Sequence, residues 1–323
     1  IRFINGFFYI LGGTGNIQYS KTGQNWTTVT PAGAYTGSFQ DIARDPSTGT
    51  FVIVGSAEEI QTAGTHADGH IDTTLTQRTP VSPLLGSGGP ITHCFWVENQ
   101  SKFFIGWSET LDGGVQSSSD GTTWVSSNES GNVTTMTAND DIVAIAKRGG
   151  AIQYTTDGGS TWVFTQLSQV EGEPISVNKM NYDPENQLFV ITGEDPIFLS
   201  NPSHNWSVGF QRTADFITYT SELYVNVPED IDAVIVMSKI FKSGDFYILS
   251  STGQEFTGGD DRYVRISELP VDWSDIEFNI SSSRVAIGGT QQASAEGNGI
   301  TLYGGAGVPD NLYKDIHRIT PFQ

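Results

Sequence analysis

Short apolar runs alternate along the whole chain with turns rich in glycine, serine, threonine and asparagine. Runs such as 7–11, 92–97 and 133–138 hold many β-branched and aromatic residues and end at turn-forming residues, a pattern typical of β-strands. No long stretch carries apolar residues at the spacing of an amphipathic helix. The pattern therefore predicts an all-β chain of many short antiparallel strands.

One of the turns has a distinctive sequence. Residues 155–162 read Thr-Thr-Asp-Gly-Gly-Ser-Thr-Trp and lie between two apolar runs. A short carboxylate such as Asp157 can accept the free N–H groups of a turn, and glycine takes positive φ without strain. Trp162 supplies a large apolar anchor for the outgoing strand. The stretch predicts a β-hairpin.

This hairpin sequence is repeated. It returns at 118–124 as Ser-Ser-Asp-Gly-Thr-Thr-Trp, and in part at 20–26, where Thr22 replaces the aspartate. Residues 200–206 keep only the outer serine and the tryptophan. The copies recur at multiples of roughly forty residues, a period that indicates propeller blades or a solenoid.

These residues resemble the Asp-box repeat, Ser/Thr-x-Asp-x-Gly-x-Thr-Trp, of the BNR-like, sialidase-superfamily β-propellers. The resemblance implies a β-propeller in which Asp120, Trp124, Asp157 and Trp162 are structural residues. We expect a single domain over 1–323, with seven four-stranded antiparallel blades and degenerate Asp-box hairpins. Residues 213–229 break the period, so six or eight blades are alternatives. The expected blades are about 1–33, 34–88, 89–129, 130–168, 169–212, 213–270 and 271–323.

Composition and charge exclude several classes of partner. The formal net charge is −20, with 36 acidic against 16 basic residues, which disfavours nucleic acid and anionic membranes. No run is long enough for a membrane-spanning helix, so membrane insertion is not expected. Cys94 is the single cysteine, which excludes an internal disulfide. No cofactor is expected, although the acidic chain leaves room for a structural divalent cation such as calcium.

Candidate ligand-binding residues come from the loops between the second and third strands of the blades. In sialidase-like propellers these loops, with the loops between blades, form the active-site face. An aromatic ring among carboxylates suits recognition of a sugar or a basic surface. Trp107 also fits the end of a buried strand. The candidates in these loops are Trp107, Glu109, Asp112, Lys147, Arg148, Glu194 and Asp195.

The same loops argue against a typical sialidase. That family needs three arginines for the substrate carboxylate, and of the arginines only Arg148 falls in such a loop. Paired carboxylates, such as Glu59 with Glu109 or Asp112, could still cleave a neutral glycan. A glycan-cleaving propeller hydrolase is therefore the alternative function.

A non-catalytic binding or structural module is the function that we expect. Degenerate hairpins and richness in glycine, serine and threonine resemble propeller domains of bacteriophage tail and virion proteins. The resemblance implies an extracellular or virion-associated protein without a catalytic residue. Its partners would be other chains of a larger assembly, or a cell-surface glycan.

The sequence His66-Ala67-Asp68-Gly69-His70 has two interpretations. On a strand, alternate residues share one face, so the two imidazoles and the carboxylate could converge on a metal. Gly69 favours a turn, which would break that geometry and leave a polar exposed loop. The sequence favours the exposed loop.

Overall fold

The computed structural model describes the chain except for residues 13–14, 30–36, 57, 80–88, 108–113, 131–132, 148–149, 167–175, 185, 195–206, 227–232, 244–245, 256–259, 269–291, 298–299, 306–315 and 320–323. The chain divides into two compact units, Ile1–Arg148 with Ile152–Thr165, and Gly149–Ala151 with Gln166–Gln323. Both consist of antiparallel sheets whose neighbouring strands are consecutive in the chain. Within the described ranges, no helix has the length and hydropathy needed to cross a bilayer.

The first unit is built from four sheets of four strands each. The turns of such a sheet alternate between its two ends, because every strand runs opposite to the one before it. A short 3₁₀ turn, Glu98–Gln100, connects two strands of the third sheet. In chain order the strands are β1 (Arg2–Ile4), β2 (Phe7–Leu11), β3 (Ile17–Ser20) and β4 (Thr27–Val29); β5 (Phe39–Arg44), β6 (Phe51–Gly55), β7 (Ile60–Ala63) and β8 (Thr76–Arg78); β9 (Ile91–Val97), β10 (Lys102–Trp107), β11 (Gly114–Ser118) and β12 (Val125–Ser130); and β13 (Val133–Ala138), β14 (Val143–Lys147), β15 (Ala151–Thr155) and β16 (Val163–Gln166).

In the second unit, one four-stranded sheet is followed by two sheets with three strands each among the described residues. The strands are β17 (Ser176–Asp183), β18 (Leu188–Glu194), β19 (Ser207–Thr213) and β20 (Tyr219–Asn226); β21 (Ala233–Ser243), β22 (Phe246–Glu255) and β23 (Asp260–Glu268); and β24 (Gln292–Gly297), β25 (Ile300–Gly305) and β26 (Ile316–Ile319).

The prediction of seven four-stranded blades is wrong, because the described residues form five four-stranded sheets. The sixth sheet shows one physical reason. The sequence predicts separate strands at 245–250 and 254–257, but β22 (Phe246–Glu255) runs without a break from the first into the second. It pairs with β21 on one side and with β23 on the other, and this two-sided pairing outweighs the turn preference of Gly253.

The fifth sheet differs from the prediction in its register. The spacing of the tryptophans predicts a fourth strand at 206–211, but β19 pairs with both β18 and β20 and is therefore the third strand. The fourth strand is β20, inside the stretch that breaks the predicted period. Trp206 itself lies outside the described residues.

A β-bulge recurs in the first strand of five sheets. The pairing between the first and second strands skips one polar residue each time, and an apolar residue precedes it. Bulges bend the strand and increase its twist, so they change where the neighbouring side chains point. The skipped residues are Gln40, Thr92, Thr134, Asn178 and Ser238.

The second strands of the first unit are apolar on both faces. Phe51 and Ile53 of β6 pack toward the first sheet, whereas Val52 and Val54 pack toward the third sheet. All four are fully buried. Because alternate residues of a strand point to opposite faces, a strand between two cores has a continuous apolar run. This explains the unbroken apolar sequence of β6.

Candidate functional site

Two turns between third and fourth strands are closed by an aspartate carboxylate. Asp120 Oδ1 accepts the N–H groups of Thr122 (2.7 Å) and Thr123 (2.8 Å). Asp157 Oδ1 accepts the N–H groups of Ser160 (3.0 Å) and Thr161 (2.9 Å). We call these turns, residues 118–124 and 155–162, aspartate hairpins.

The same hydrogen bonds lower the pKa of both carboxyl groups. The hydroxyl and N–H groups of Thr161 are the main cause for Asp157, whose pKa falls to about 2. The N–H group of Thr123 and the hydroxyl group of Thr122 hold the pKa of Asp120 well below its usual range. Both carboxyl groups are therefore charged at neutral pH and are occupied by turn donors.

A third aspartate hairpin, residues 213–219, connects β19 to β20. Asp215 Oδ1 accepts the N–H groups of Ile217 (2.9 Å) and Thr218 (2.8 Å), as in the other two turns. Phe216 takes the place of the glycine at position 121, with φ of 60°. It is fully buried, and its ring lies 4.6 Å from that of Phe189. The repeat pattern does not identify this turn as a copy, because a phenylalanine and a tyrosine replace the glycine and the tryptophan; only the Thr-x-Asp pair gives a signal.

Each aspartate hairpin of the first unit contacts the sheet before its own. In the fourth sheet, Gly158 N–H donates to Gln100 Oε1 (2.8 Å), and Gly158 O accepts from Lys102 Nζ (3.0 Å). In the third sheet, a Cβ atom on Gly121 would lie 2.8 Å from Val52 Cγ2. The hairpins therefore hold consecutive sheets together, which is a structural role.

Hydrogen bonds between loops define two faces of the first unit. The turns between first and second strands and between third and fourth strands form the hairpin face, where Asn99 N–H donates to Asp140 O (2.9 Å). The loops between second and third strands and those between sheets form the linker face. There Ser56 N–H donates to Ser38 O (3.0 Å), and Glu58 N–H donates to Gly89 O (3.3 Å).

The first strands of three sheets share one charged cluster. Arg2 of β1 donates through Nε to Asp41 Oδ1 of β5 (2.6 Å), and its Nη2 donates to Oδ2. Asp41 Oδ2 also accepts the N–H group of Cys94 in β9 (2.8 Å). The Arg2 guanidinium lies 4.8 Å from the centre of the Phe95 ring. The cluster connects β1, β5 and β9 and neutralises its own charge.

Burial and the ion pair with Arg2 have opposite effects on the pKa of Asp41. Burial alone would raise the pKa of the carboxyl group, but the charge and hydrogen bonds of Arg2 hold it below its usual value. Burial raises the pKa of the Cys94 thiol, which makes it an unreactive core residue.

A different carboxyl group lies on the linker face of the second sheet. Glu59 is 8 % exposed, and its two oxygens accept hydrogen bonds from the amide groups of Gln61 and Gln77. Burial raises its pKa, and the two amides offset this only in part. The preceding residue, Glu58, has φ of 59°, a conformation that non-glycine residues rarely adopt.

Of the expected ligand-binding residues, the structure describes the side chains of Trp107 and Lys147. Trp107 ends β10 and is 6 % exposed within the core between the second and third sheets, so it is not an exposed platform. Lys147 ends β14 and is partly buried. Glu194 ends β18, and only its backbone is described. Outside the described residues lie Glu109, Asp112, Arg148 and Asp195.

The two histidines and the aspartate of the metal candidate lie in the β7–β8 connection, on the hairpin face. Thr65 and Ile71 form a β-bridge, so residues 65–71 are a small hairpin rather than a single strand. The turn does not separate the side chains, because the rings of His66 and His70 stack with centres 4.4 Å apart.

Comparisons with known proteins identify the fold. No family model and no curated protein match the chain. A structure of YCF48 bound to D1 peptide is similar, with a TM-score of 0.61, 10 % identity and coverage of 99 % of this chain and 90 % of that one. The structure of a protein from Lactobacillus plantarum is also similar, with a TM-score of 0.56 and 12 % identity. The match covers 93 % of this chain and 89 % of that one. The fold is that of a β-propeller.

An enzyme is also among the similar structures. An ancestral GH74 enzyme has a TM-score of 0.50 and 12 % identity, and the match covers 82 % of this chain but 37 % of the enzyme chain. At these identities the comparisons establish the fold alone.

Proposed function

We propose that this propeller is a non-catalytic binding module whose linker face recognises a basic segment of a partner protein. The strongest support for this proposal is that the charged side chains within the sheets and turns already have partners inside the scaffold. Arg2 and Asp41 are paired with each other, and the aspartate hairpins are occupied by turn N–H groups. These charges hold the scaffold, so recognition falls to the loops that the scaffold presents.

Charge favours a basic partner. The chain carries a formal net charge of −20, and Glu58 lies in the β6–β7 loop of the linker face. An acidic surface speeds association with a cationic segment and discriminates against anionic ones. YCF48, a propeller of similar fold, has been solved with a bound peptide, so this type of scaffold can accept one. The proposal does not extend to a phage virion, for which composition is the only support.

Binding of an oligolysine peptide tests the proposal by calorimetry at two salt concentrations. The variant Glu58→Gln removes a charge of the linker face, and the control Asp140→Asn removes a charge of the hairpin face. We expect saturable, salt-sensitive binding that weakens at least fivefold in the first variant and less than twofold in the control. Equal weakening in both variants, or binding of polysaccharides in place of the peptide, would overturn the proposal.

A glycan hydrolase is the second candidate, because Glu59 is a buried carboxyl group with a raised pKa, as a general acid requires. Polysaccharide turnover by the parent protein that disappears in Glu59→Gln, with folding unchanged, would establish this candidate in place of the binding module. No turnover by the parent protein is the result that we expect.

A further inference from the structure

The β7–β8 connection departs from the pattern of the other sheets. In the third, fourth and fifth sheets an aspartate hairpin connects the third and fourth strands, and in the first sheet Ser20 Oγ accepts the N–H groups of Thr22 and Gly23 in a similar turn. The second sheet has a longer connection there, with the hairpin 65–71 at its tip. This replacement brings two histidines and an aspartate together.

We propose that His66, Asp68 and His70 form a binding site for a divalent metal ion, and that the ion is Zn²⁺. One ligand atom from each of the three side chains lies within 4.8 Å of the others, and this is the one such group among the described residues. Two imidazoles and one carboxylate, with a fourth position open to water, are a ligand set that zinc accepts.

The distance between two of the ligand atoms already suits a metal ion. His66 Nδ1 lies 3.4 Å from Asp68 Oδ2. Two ligands at the usual 2.0–2.2 Å from zinc, at a tetrahedral angle, are about 3.4 Å apart. The N–H group of Asp68 donates to the same His66 nitrogen (3.2 Å), so Nδ1 is the unprotonated ring nitrogen, and zinc would replace this N–H group at its lone pair.

His70 is held in the matching tautomer. Its Nδ1 lies 2.7 Å from the carbonyl oxygen of Ile71, so Nδ1–H donates there and the lone pair is on Nε2. A backbone carbonyl that accepts the second ring N–H is the common partner of a metal-bound histidine. The ring must tilt out of its parallel stack on His66 to complete the site, a shift of about 1.4 Å from the 4.8 Å spacing. The side chain of His66 is 45 % exposed and that of Asp68 is 75 % exposed, so both can follow this movement.

The first sheet supports the hairpin. Asn5 Nδ2 donates to Gly69 O (2.7 Å), and the N–H group of Ile71 donates to the Tyr9 hydroxyl (3.1 Å). The Tyr19 ring stacks on His70 with centres 4.3 Å apart. Gly69 has φ of +94° at the turn, which allows the tight return of the chain. A bound ion would therefore stabilise a hairpin that packs against the first sheet, at the place where the aspartate hairpins of the third and fourth sheets contact the sheet before them.

The ligand set separates zinc from calcium. Calcium takes six to eight oxygen ligands, whereas this site offers two nitrogens and one carboxylate. We therefore expect Zn²⁺ and Co²⁺ to bind, and Ca²⁺ and Mg²⁺ not to compete.

Titration of the full chain with ZnCl₂ by calorimetry tests the site. The variant His70→Phe keeps the ring stack on Tyr19 but removes the ligand, and Asp68→Asn removes the carboxylate charge. The control Asp72→Asn changes a carboxylate outside the site. We expect one site that weakens at least tenfold in both variants and is unchanged in the control.

Two further measurements make the result decisive. Zn²⁺ should raise the melting temperature of the parent and of the control but not that of His70→Phe. Without metal, the circular dichroism spectrum of His70→Phe should match that of the parent. Co²⁺ should give the intense visible bands of a four-coordinate ion. Unchanged affinity in His70→Phe, or the weak spectrum of six-coordinate Co²⁺, would contradict the site.

Discussion

At the residue scale, Phe216 shows two opposing effects at one position. Its φ of 60° costs about 1–2 kcal/mol for a side chain with a Cβ. Its ring is fully buried against Phe189, and removing such a ring costs about 3–5 kcal/mol. Burial is the larger effect, which explains why a phenylalanine is stable where the other aspartate hairpins have glycine.

We therefore expect Phe216→Gly to destabilise the protein by about 2–3 kcal/mol, despite the relief of backbone strain. Ile217→Ala is the control, because Ile217 is 73 % exposed in the same turn and should change stability little. Urea unfolding followed by tryptophan fluorescence measures both. A glycine variant as stable as the parent would mean that packing of the ring does no more than offset the backbone strain, contrary to this account.

The low pKa of Asp157 predicts a pH dependence. A carboxyl group whose pKa is about 2 in the folded state and about 3.9 in the unfolded state stabilises the fold above about pH 4. That contribution disappears as the pH falls through about 2. The variant Asp157→Asn keeps an oxygen acceptor but does not titrate.

The stability difference between the parent and Asp157→Asn should therefore be largest near neutral pH and should shrink between about pH 4 and pH 2. Urea midpoints at a series of pH values give this difference. A difference that stays constant down to pH 2 would show that the charge of Asp157 does not stabilise the turn.

At the scale of the element, the aspartate hairpins of the first unit pack against the sheet before their own. Glycine allows this close approach because it has no side chain. Gly121 has φ of +72°, and a Cβ there would lie 2.8 Å from Val52 Cγ2. Gly6 has φ of +80°, but a Cβ there would meet no atom within 4 Å. Substitution by alanine would cause the same backbone strain at both positions, but only at Gly121 would the added methyl group clash with a neighbour.

Gly121→Ala should cost more stability than Gly6→Ala. We expect about 1 kcal/mol for Gly6→Ala, from backbone strain alone, and about 2–4 kcal/mol for Gly121→Ala, where overpacking adds to it. Denaturant midpoints compare the two. Equal losses would mean that the third-sheet hairpin does not pack against the second sheet.

The strands of the first unit could be predicted from sequence better than those of the second. Strands such as β6 and β10 are continuous apolar runs between turns, so local sequence shows them directly. The fourth strand of the fifth sheet follows a hairpin without its glycine, and the tryptophan spacing misplaces it. The turn preference at Gly253 is overridden by pairing on both sides, which depends on residues distant in the chain.

The candidate site could be predicted only in part, because it depends on contacts that the local sequence does not show. Glu59 was named from its loop, but one of its two hydrogen bonds comes from Gln77, which lies 18 residues away on β8. Nothing local identifies Arg2 and Asp41 as a pair, since 39 residues separate them. His66 and His70 lie close together because Thr65 and Ile71 form a β-bridge, whereas the sequence predicts an open loop there.

At the scale of the whole molecule, the ion pair between Arg2 and Asp41 connects the first strands of different sheets and should therefore affect the stability of the protein. Asp41 is 7 % exposed and depends on Arg2, which is itself about one third exposed. We expect Arg2→Met to cost about 3 kcal/mol, since it leaves a buried carboxylate without its partner. This deficit should narrow as the pH falls from 7 to about 4, because burial without Arg2 raises the pKa of Asp41 and protonation then removes the unpaired charge.

The double variant Arg2→Met/Asp41→Asn provides the control for that loss. Asparagine keeps an acceptor for the N–H group of Cys94 but carries no charge, so most of the lost stability should return. Urea midpoints at pH 7 and pH 4 measure the single and the double variant. A double variant as unstable as Arg2→Met would show that packing, rather than the unpaired charge, causes the loss.

Hydrogen exchange of the oligolysine complex tests the assignment of recognition to the linker face most directly. Mass spectrometry of the free and the bound protein reports which backbone amides become protected. We predict slower exchange at linker-face residues 37–38, 56, 58–59 and 89, and unchanged exchange at hairpin-face segments 98–101, 139–142 and 156–161. Protection confined to the hairpin-face segments would contradict the proposed recognition surface.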